Sequence, residues 1–306
     1  MFLAAAALLF LAPSAFARNV DTGEIAPFVG AGGLFRLAYA NDYFSGTDRY
    51  YTQGIGFDVF HPALRASPVM RLLPALPGAA RSYGISVRDS TFTPSRTDSD
   101  GPLIGDRPFA AYAYLGHVLV SKDPGRGLTL AAELDAGMIG QAVGGDAQKW
   151  AHRVLDDPAP DGWGNQIRND VLLDYYARLE KAVQSSAFED LAFGADATAG
   201  TVYDNAGAEG TARFGALASR DRFYVFGRAQ EKAVGYDATL QGGVTNRRSP
   251  YTLSAAQVER FVPRADLGIA ADFRSLALEA VWSDLGPEFR NGLTQRWIEI
   301  SIIARF

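Results

Sequence analysis

The C-terminal stretch WIEISIIARF, residues 297–306, decides how the rest of the chain is read. Ile298, Ile300, Ile302, Ala304 and Phe306 fall on one face of an extended chain, and Glu299, Ser301 and Arg305 on the other. A period of two marks a strand with one apolar and one polar side. In LTLAAELDAGMIG (128–140), Leu128, Leu130, Ala132, Leu134, Ala136 and Met138 share a face, opposite Glu133 and Asp135. FYVFGRAQEKAV (223–234) and LALEAVWSDL (276–285) carry the same mixture of aromatics, small residues and charges.

Segments of about ten residues with weak alternation, separated by turn residues, are the signature of a transmembrane barrel. A soluble sandwich also alternates. The balance is tilted by the terminal aromatic Phe306 inside the last strand, and by Tyr and Phe in numbers (13 and 19) that would furnish an aromatic girdle. Twelve candidate strands are expected, near 34–42, 52–61, 82–93, 108–121, 127–140, 168–182, 187–201, 207–219, 222–236, 254–263, within 266–284 in part, and 294–306. The expected fold is all-β: a twelve-stranded antiparallel transmembrane β-barrel with a short helix in an extracellular loop.

The first residues stand apart. MFLAAAALLFLAPSAFA (1–17) is an apolar run of roughly a dozen residues ending in Ala15-Phe16-Ala17, the pattern of a secretory signal peptide. No Lys or Arg precedes the run, and a short buried helix is the competing reading. Residues 18–306 then form one barrel domain, with no linker or internal repeat. The chain has no cysteine, so an exported protein of this kind rests on its core or on sheet closure. No later apolar run approaches the roughly 20 residues that a membrane helix needs. A net charge of −5 gives no footprint for nucleic acid.

Strand parity groups the loops. With both termini in the periplasm, the odd-numbered connections lie outside: Asn41 to Thr52, then SRTDSDGPLIGDRP, then GQAVGGDAQKWAHRVLDDPAPDGWGNQIRN. The periplasmic connection HPALRASPVMRLLPALPGAAR is apolar and basic with no acid, and reads as a short interfacial helix. In DAQKWAHRVL, Asp146 caps a helix whose apolar stripe is Ala147, Trp150, Ala151 and Val154. Gln148 and His152, four apart, project from the neighbouring face. Of His61, His117 and His152, only His152 falls in an outer loop, and it is either a general base or a histidine in contact with water or lipid phosphate. Asn41, Asp42, Thr52, Asp156 and Asp157 offer hard oxygen ligands, which suit Ca²⁺ rather than zinc, or else are solvated turn residues.

The run ND-x9-T-x-G (Asn41, Asp42, Thr52, Gly54) is followed by GDRPFAAYAYLG (105–116), GG-x2-Q-x3-HR (144–153), GW-x2-Q-x2-N (162–169) and PEFR (287–290). This order and spacing resemble the outer-membrane lipid A 3′-O-deacylases of the LpxR type, across essentially the whole mature chain. The resemblance implies a barrel in the outer membrane of a Gram-negative bacterium, with an active site between the wall and a loop helix. It also implies a Ca²⁺-dependent esterase that removes the 3′-linked acyloxyacyl chain of lipid A. His152 would be the base that activates water, Gln148 would orient the substrate or the histidine, and Asn41, Asp42 and Thr52 would shape the metal and oxyanion region. Members of the family carry an acidic ligand shortly after the histidine, a role that falls to Asp156 or Asp157. They also carry a lysine between strands three and four, where this chain has only Arg96 and Arg107; Arg96 would meet a lipid A phosphate. Lipopolysaccharide in the membrane is the implied partner, and a monomer is the expected state. Two rivals stand beside this reading: a phospholipase-like barrel with a serine nucleophile, Ser45 or Ser95, and a structural or pore-forming barrel.

Overall fold

A computed structural model describes residues 19, 22–30, 32–42, 45–46, 49–96, 101–144, 162–219 and 221–306. Twelve strands close into one barrel in which each strand pairs antiparallel with its neighbours in sequence. They are β1 (Leu34–Asn41), β2 (Tyr50–Phe60), β3 (Ala80–Thr93), β4 (Ala110–Asp123), β5 (Leu128–Ile139) and β6 (Asp170–Ser185), followed by β7 (Glu189–Gly200), β8 (Tyr203–Ala216), β9 (Arg222–Asp237), β10 (Phe261–Phe273), β11 (Leu276–Leu285) and β12 (Gln295–Arg305). The seam joins β1 to β12, from Leu34 opposite Arg305 to Asn41 opposite Ile298. Closure leaves no unpaired edge, which a sheet in hydrocarbon requires.

Two strand positions differ from the expectation. Residues 254–260 belong to a loop, touching the barrel through an isolated bridge between Val258 and Phe289, and β10 begins only at Phe261. The stretch 266–284 instead holds most of a hairpin, with Phe273 paired to Leu276. Its reversal, at Arg274-Ser275, contains no Gly, Asn or Pro; Arg274 itself adopts a φ of 50°. A reader who waits for turn residues passes straight through it. The connection 238–260, with a one-turn helix Ala238–Gln241, is therefore a fourth long outer loop. The periplasmic connection forms two 3-10 segments, Pro62–Ala66 and Pro68–Leu72, rather than one helix, since each proline restarts the chain. The expected signal peptide and the expected loop helix lie outside the described residues.

Burial along the strands is inverted relative to a soluble protein. On β12, Ile300 and Ile302 are 46% and 41% exposed, whereas Glu299 and Ser301 are 8% and 1%. Apolar side chains face outward around the wall, including Val87, Leu115, Leu173, Leu179, Val225, Leu267 and Ile269. Inside lie Arg36, Asp58, Arg88, Glu133, Asp174, Arg178, Asp196 and Asp266. That arrangement is stable only where hydrocarbon surrounds the barrel. Among the described residues no helix is long and apolar enough to cross a membrane.

The lumen is filled in layers. Near the outer end, Tyr51, Phe92, Tyr112, Tyr203 and Trp297 form an aromatic floor, with Tyr51 set edge-on to Trp297 at 5.3 Å and Tyr112 edge-on to Tyr203 at 6.0 Å. Below it the charges pair: Arg88 with Asp58 at 2.8 Å, and Arg178 with Glu209. At the periplasmic end Ile25 and Phe28, from the segment 22–30, pack against Phe60, Val118, Val120 and Ile303. Glu24 in that segment pairs with the fully buried Arg36, which also reaches Asp58 at 3.2 Å and Glu299 at 2.9 Å. A guanidinium buried this deeply is tolerable only with such compensation.

Candidate active site at the outer rim

β1 ends at Asn41, and Asp42 opens the first outer turn; both side chains are buried, at 4% and 2% exposure. Asp42 organises the turn, its carboxylate accepting from the Arg49 amide at 2.8 Å and its carbonyl from the Ser45 amide at 2.9 Å. The chain re-enters the wall through a bulge between Tyr51 and Gln53, where Thr52 is the extra residue. A bulge re-aims a side chain that strict alternation would send elsewhere. Tyr51 joins the luminal floor, while the Thr52 hydroxyl meets the Thr93 hydroxyl at 2.7 Å. The Asn41 amide group donates to the Thr52 carbonyl at 3.4 Å. Three residues expected at the site, Asn41, Asp42 and Thr52, are therefore brought together.

The patch lies on the outside of the wall. On β3, Ser86, Arg88, Ser90 and Phe92 point inward, which leaves Asp89, Thr91 and Thr93 outward. Thr91 and Thr93 are nonetheless buried. The sequence reading passed over this column, although SVRDSTFT carried a signal: above Val87 neither face of the strand is apolar. On the neighbouring β4, Ala111 is also covered from outside, and a Cβ on Gly144 would come within 2.8 Å of its side chain and of Gln166 Oε1. Trp163 packs on Phe109 at 5.0 Å, and the Gln166 amide donates to the Trp163 carbonyl at 2.9 Å. Both described ends of the connection 140–169 thus lie against the wall beside the patch. His152, Gln148, Asp156 and Asp157 fall on residues outside the described set.

The arginines of the third connection separate. Arg96 is exposed at the rim. Arg107 is fully buried, donating to Glu288 at 3.0 Å and to the Thr239 hydroxyl at 3.0 Å, with its guanidinium 4.2 Å above the Phe92 ring. The GDRP and PEFR motifs meet in this pair, and the Gln295 amide donates to the same Glu288 carboxylate at 2.6 Å. Tyr251 ties loop 238–260 to the third connection, accepting from the Gly105 amide at 2.7 Å and donating to the Asp106 carbonyl at 3.0 Å. Burial raises the Tyr251 phenol above its ordinary pKa. Asp170 fixes the other side of that loop, accepting from the amides of Thr245 and Asn246 at 2.8 and 3.0 Å.

Among the described residues no cluster of three or more His, Cys, Asp or Glu side chains forms a metal cage. Asp42 and Asn41 supply hard oxygen donors, a set that fits Ca²⁺ and not zinc. They would be part of a ligand set.

Solved structures are similar to this chain to different degrees. LpxR from Salmonella typhimurium superposes with a TM-score of 0.73 at 20% identity, covering 90% of this chain and 100% of that one. The beta domain of the Bordetella autotransporter BrkA gives 0.47 at 11% identity, covering 90% and 99%. The NanC porin gives 0.41 at 6%, covering 90% and 100%. No curated protein matches by sequence. The family described as outer membrane protein LpxR matches residues 2–306, and with the closed, lipid-facing barrel this places the protein in the Gram-negative outer membrane: the chain belongs to the LpxR family.

Proposed function

We propose that the protein is a carboxylic ester hydrolase that removes the 3′-linked acyloxyacyl chain of lipid A, with His152 as the base and Ca²⁺ as cofactor. The observation that carries this reading is the polar patch of Asn41, Thr52, Thr91 and Thr93 on the lipid side of the wall, at the outer end. Outward polar groups on a membrane barrel are costly and mark a site, here one sheltered beside the connection 140–169, where the polar part of an amphiphile would enter. Lipid A, whose acyl esters sit where headgroup meets hydrocarbon in the outer leaflet, is such an amphiphile.

Bound Ca²⁺ would polarise the ester carbonyl and offset charge on the tetrahedral oxyanion. Asn41 and Asp42 would hold it together with Asp156 or Asp157. His152 takes a proton from water as the water oxygen attacks the carbonyl carbon, then returns it to the departing sugar oxygen. Gln148 orients the histidine or the substrate. Thr93 fixes the Thr52 hydroxyl, which faces the region where charge develops, and Arg96 at the rim suits a lipid A phosphate.

The serine-nucleophile alternative is less well supported. The Ser45 hydroxyl lies within hydrogen-bond distance of the Asp42 and Arg296 carbonyls, at 2.7 and 2.6 Å, and gives its proton to one of them, while Ser95 donates to Asp106 at 2.5 Å. An open pore is disfavoured by the aromatic floor and the periplasmic segment 22–30.

Mass spectrometry of lipid A from cells that express wild type or His152→Ala, with Ca²⁺ present or chelated, tests the proposal. Loss of one acyloxyacyl mass that needs both His152 and Ca²⁺ is the expected result. Intact lipid A from folded, outer-membrane-located wild type overturns it.

A further inference from the structure

From Val59 to Arg88 the sequence contains no acidic residue, and the connection 61–79 within it carries Arg65 and Arg71, with Arg81 just beyond. This connection does not hang into the periplasm. Met70 and Leu73 are buried against Leu119 and Ala132, with Tyr83, Leu134 and Tyr175 packed around them. On their strands the residues that flank these positions face the lumen, so the contact is with the outer surface of the wall. The Leu76 amide donates to the Ser121 hydroxyl at 3.0 Å, and the Tyr175 hydroxyl donates to the Leu72 carbonyl at 2.9 Å. The connection is a strap laid across β3, β4, β5 and β6 on the membrane side. Leu119 stands in register with Tyr83 and Ala132, so the contact lies about 10 Å above the periplasmic rim for ordinary strand rise and tilt.

The rest of that rim shows what the strap replaces. Phe35 on β1, Phe193 on β7, Phe214 on β8, Phe223 on β9, Phe273 on β10 and Phe306 after β12 point outward near the periplasmic ends of their strands and are exposed. Such rings form an interfacial girdle. Across β3 to β6 no outward Phe occupies this level, and the strap does. Its outer side shows Leu72, 63% exposed, beside the exposed Arg65 and Arg71. Among the described residues no side chain forms an ion pair or hydrogen bond with the guanidinium of Arg65, Arg71 or Arg81, whereas the luminal arginines are paired.

We infer that the strap is a recognition surface for anionic phospholipid headgroups of the inner leaflet. Leu72 sits at the top of the acyl region, and the three guanidinium groups lie at the depth of the phosphates, where each attracts negative charge without desolvating a partner within the protein. The occupant is a phosphoglycerolipid because the strap is on the periplasmic half of the wall, the half away from the Asn41–Thr93 patch. Charge complementarity selects an anionic headgroup over a zwitterionic one.

The test uses full-length protein reconstituted in phosphatidylcholine bilayers with chain-spin-labelled phosphatidylglycerol or phosphatidylcholine as the probe. Wild type should hold a several-fold excess of motionally restricted phosphatidylglycerol, and Arg65→Gln/Arg71→Gln/Arg81→Gln should lose it while the barrel stays folded. No excess in wild type, or an excess that survives in the triple variant, overturns the proposal. Because the chain has no cysteine, Leu72→Cys can carry a single nitroxide. That label should be relaxed by oxygen more than by a water-soluble nickel complex, and the reverse order overturns the placement of the strap in the bilayer.

Discussion

Arg107 and Glu288, 181 residues apart in sequence, meet at 3.0 Å beneath the outer rim and hold two short motifs of the chain in one place. Arg107 is fully buried and stacked on Phe92, Glu288 is partly buried, and the pair is shared with Gln295 and Thr239. Removing one partner leaves a charge without compensation, at a cost of about 3–5 kcal/mol. Arg107→Ala should lower the urea midpoint of the folded barrel markedly. The double variant Arg107→Met/Glu288→Gln should recover part of the loss, and equal midpoints for single and double variants would contradict the coupling.

The Thr52–Thr93 hydroxyl pair predicts a different balance. Thr52→Val leaves the barrel folded, because the lost bond is worth about 1 kcal/mol. It should nonetheless lower lipid A deacylation at least about tenfold, the order expected for a group that acts on developing charge. Thermal unfolding and lipid A mass spectrometry on the same preparation separate the two effects.

Asp42 anchors its turn and, in the proposed mechanism, contributes charge to the metal set. Asp42→Asn keeps an acceptor for the Arg49 amide and removes the charge. The variant should require about tenfold more Ca²⁺ for half-maximal activity, since affinity follows ligand charge. An unchanged Ca²⁺ titration would remove Asp42 from the set.

Asp89 is an ionisable side chain on the lipid side of β3. Outward acids cost stability according to depth, so Asp89→Leu should raise the unfolding free energy by about 1 kcal/mol. If the column it heads serves the proposed reaction, the same variant should also turn over lipid A more slowly. A more stable and fully active variant would detach Asp89 from the site.

The rim tie through Tyr251 carries a pH dependence. Its folded pKa is raised by burial, so the native state prefers the neutral phenol. The contribution is complete below the unfolded pKa, about 10, and is lost as pH rises through the higher folded value. The difference in melting temperature between wild type and Tyr251→Phe should therefore be constant below about pH 10 and shrink above it.

The barrel was legible because its alternation is simple. In β12 Ile298, Ile300 and Ile302 face outward while Glu299 and Ser301 face the lumen, as the period assigns, and Ile303 turns inward only at the periplasmic end, where Ile25 and Phe28 meet it. Legibility failed where a reversal lacks Gly, Asn and Pro, as at Arg274-Ser275, and where polarity serves both faces, as at Asp89, Thr91 and Thr93. Arg107 shows a third limit. Beside Asp106 and Pro108 it read only as one of two basic residues in the loop where the family carries a lysine, and only the closure of the barrel brings Glu288 beneath it. Asn41, Asp42 and Thr52 were readable as a group because a hairpin needs far less chemistry than they carry.

The segment 22–30 bears on how the barrel lasts. Glu24 joins Arg36 of β1 and, at 2.9 Å, Ser301 of β12, 277 residues away in sequence. It clasps from within the first and last strands, whose pairing closes the longest span of chain in the barrel. To reopen that seam, the β1–β12 ladder and the Glu24 clasp must yield together in surroundings where neither finds water. Opening the seam costs both at once, and that cost falls on the rate of unfolding.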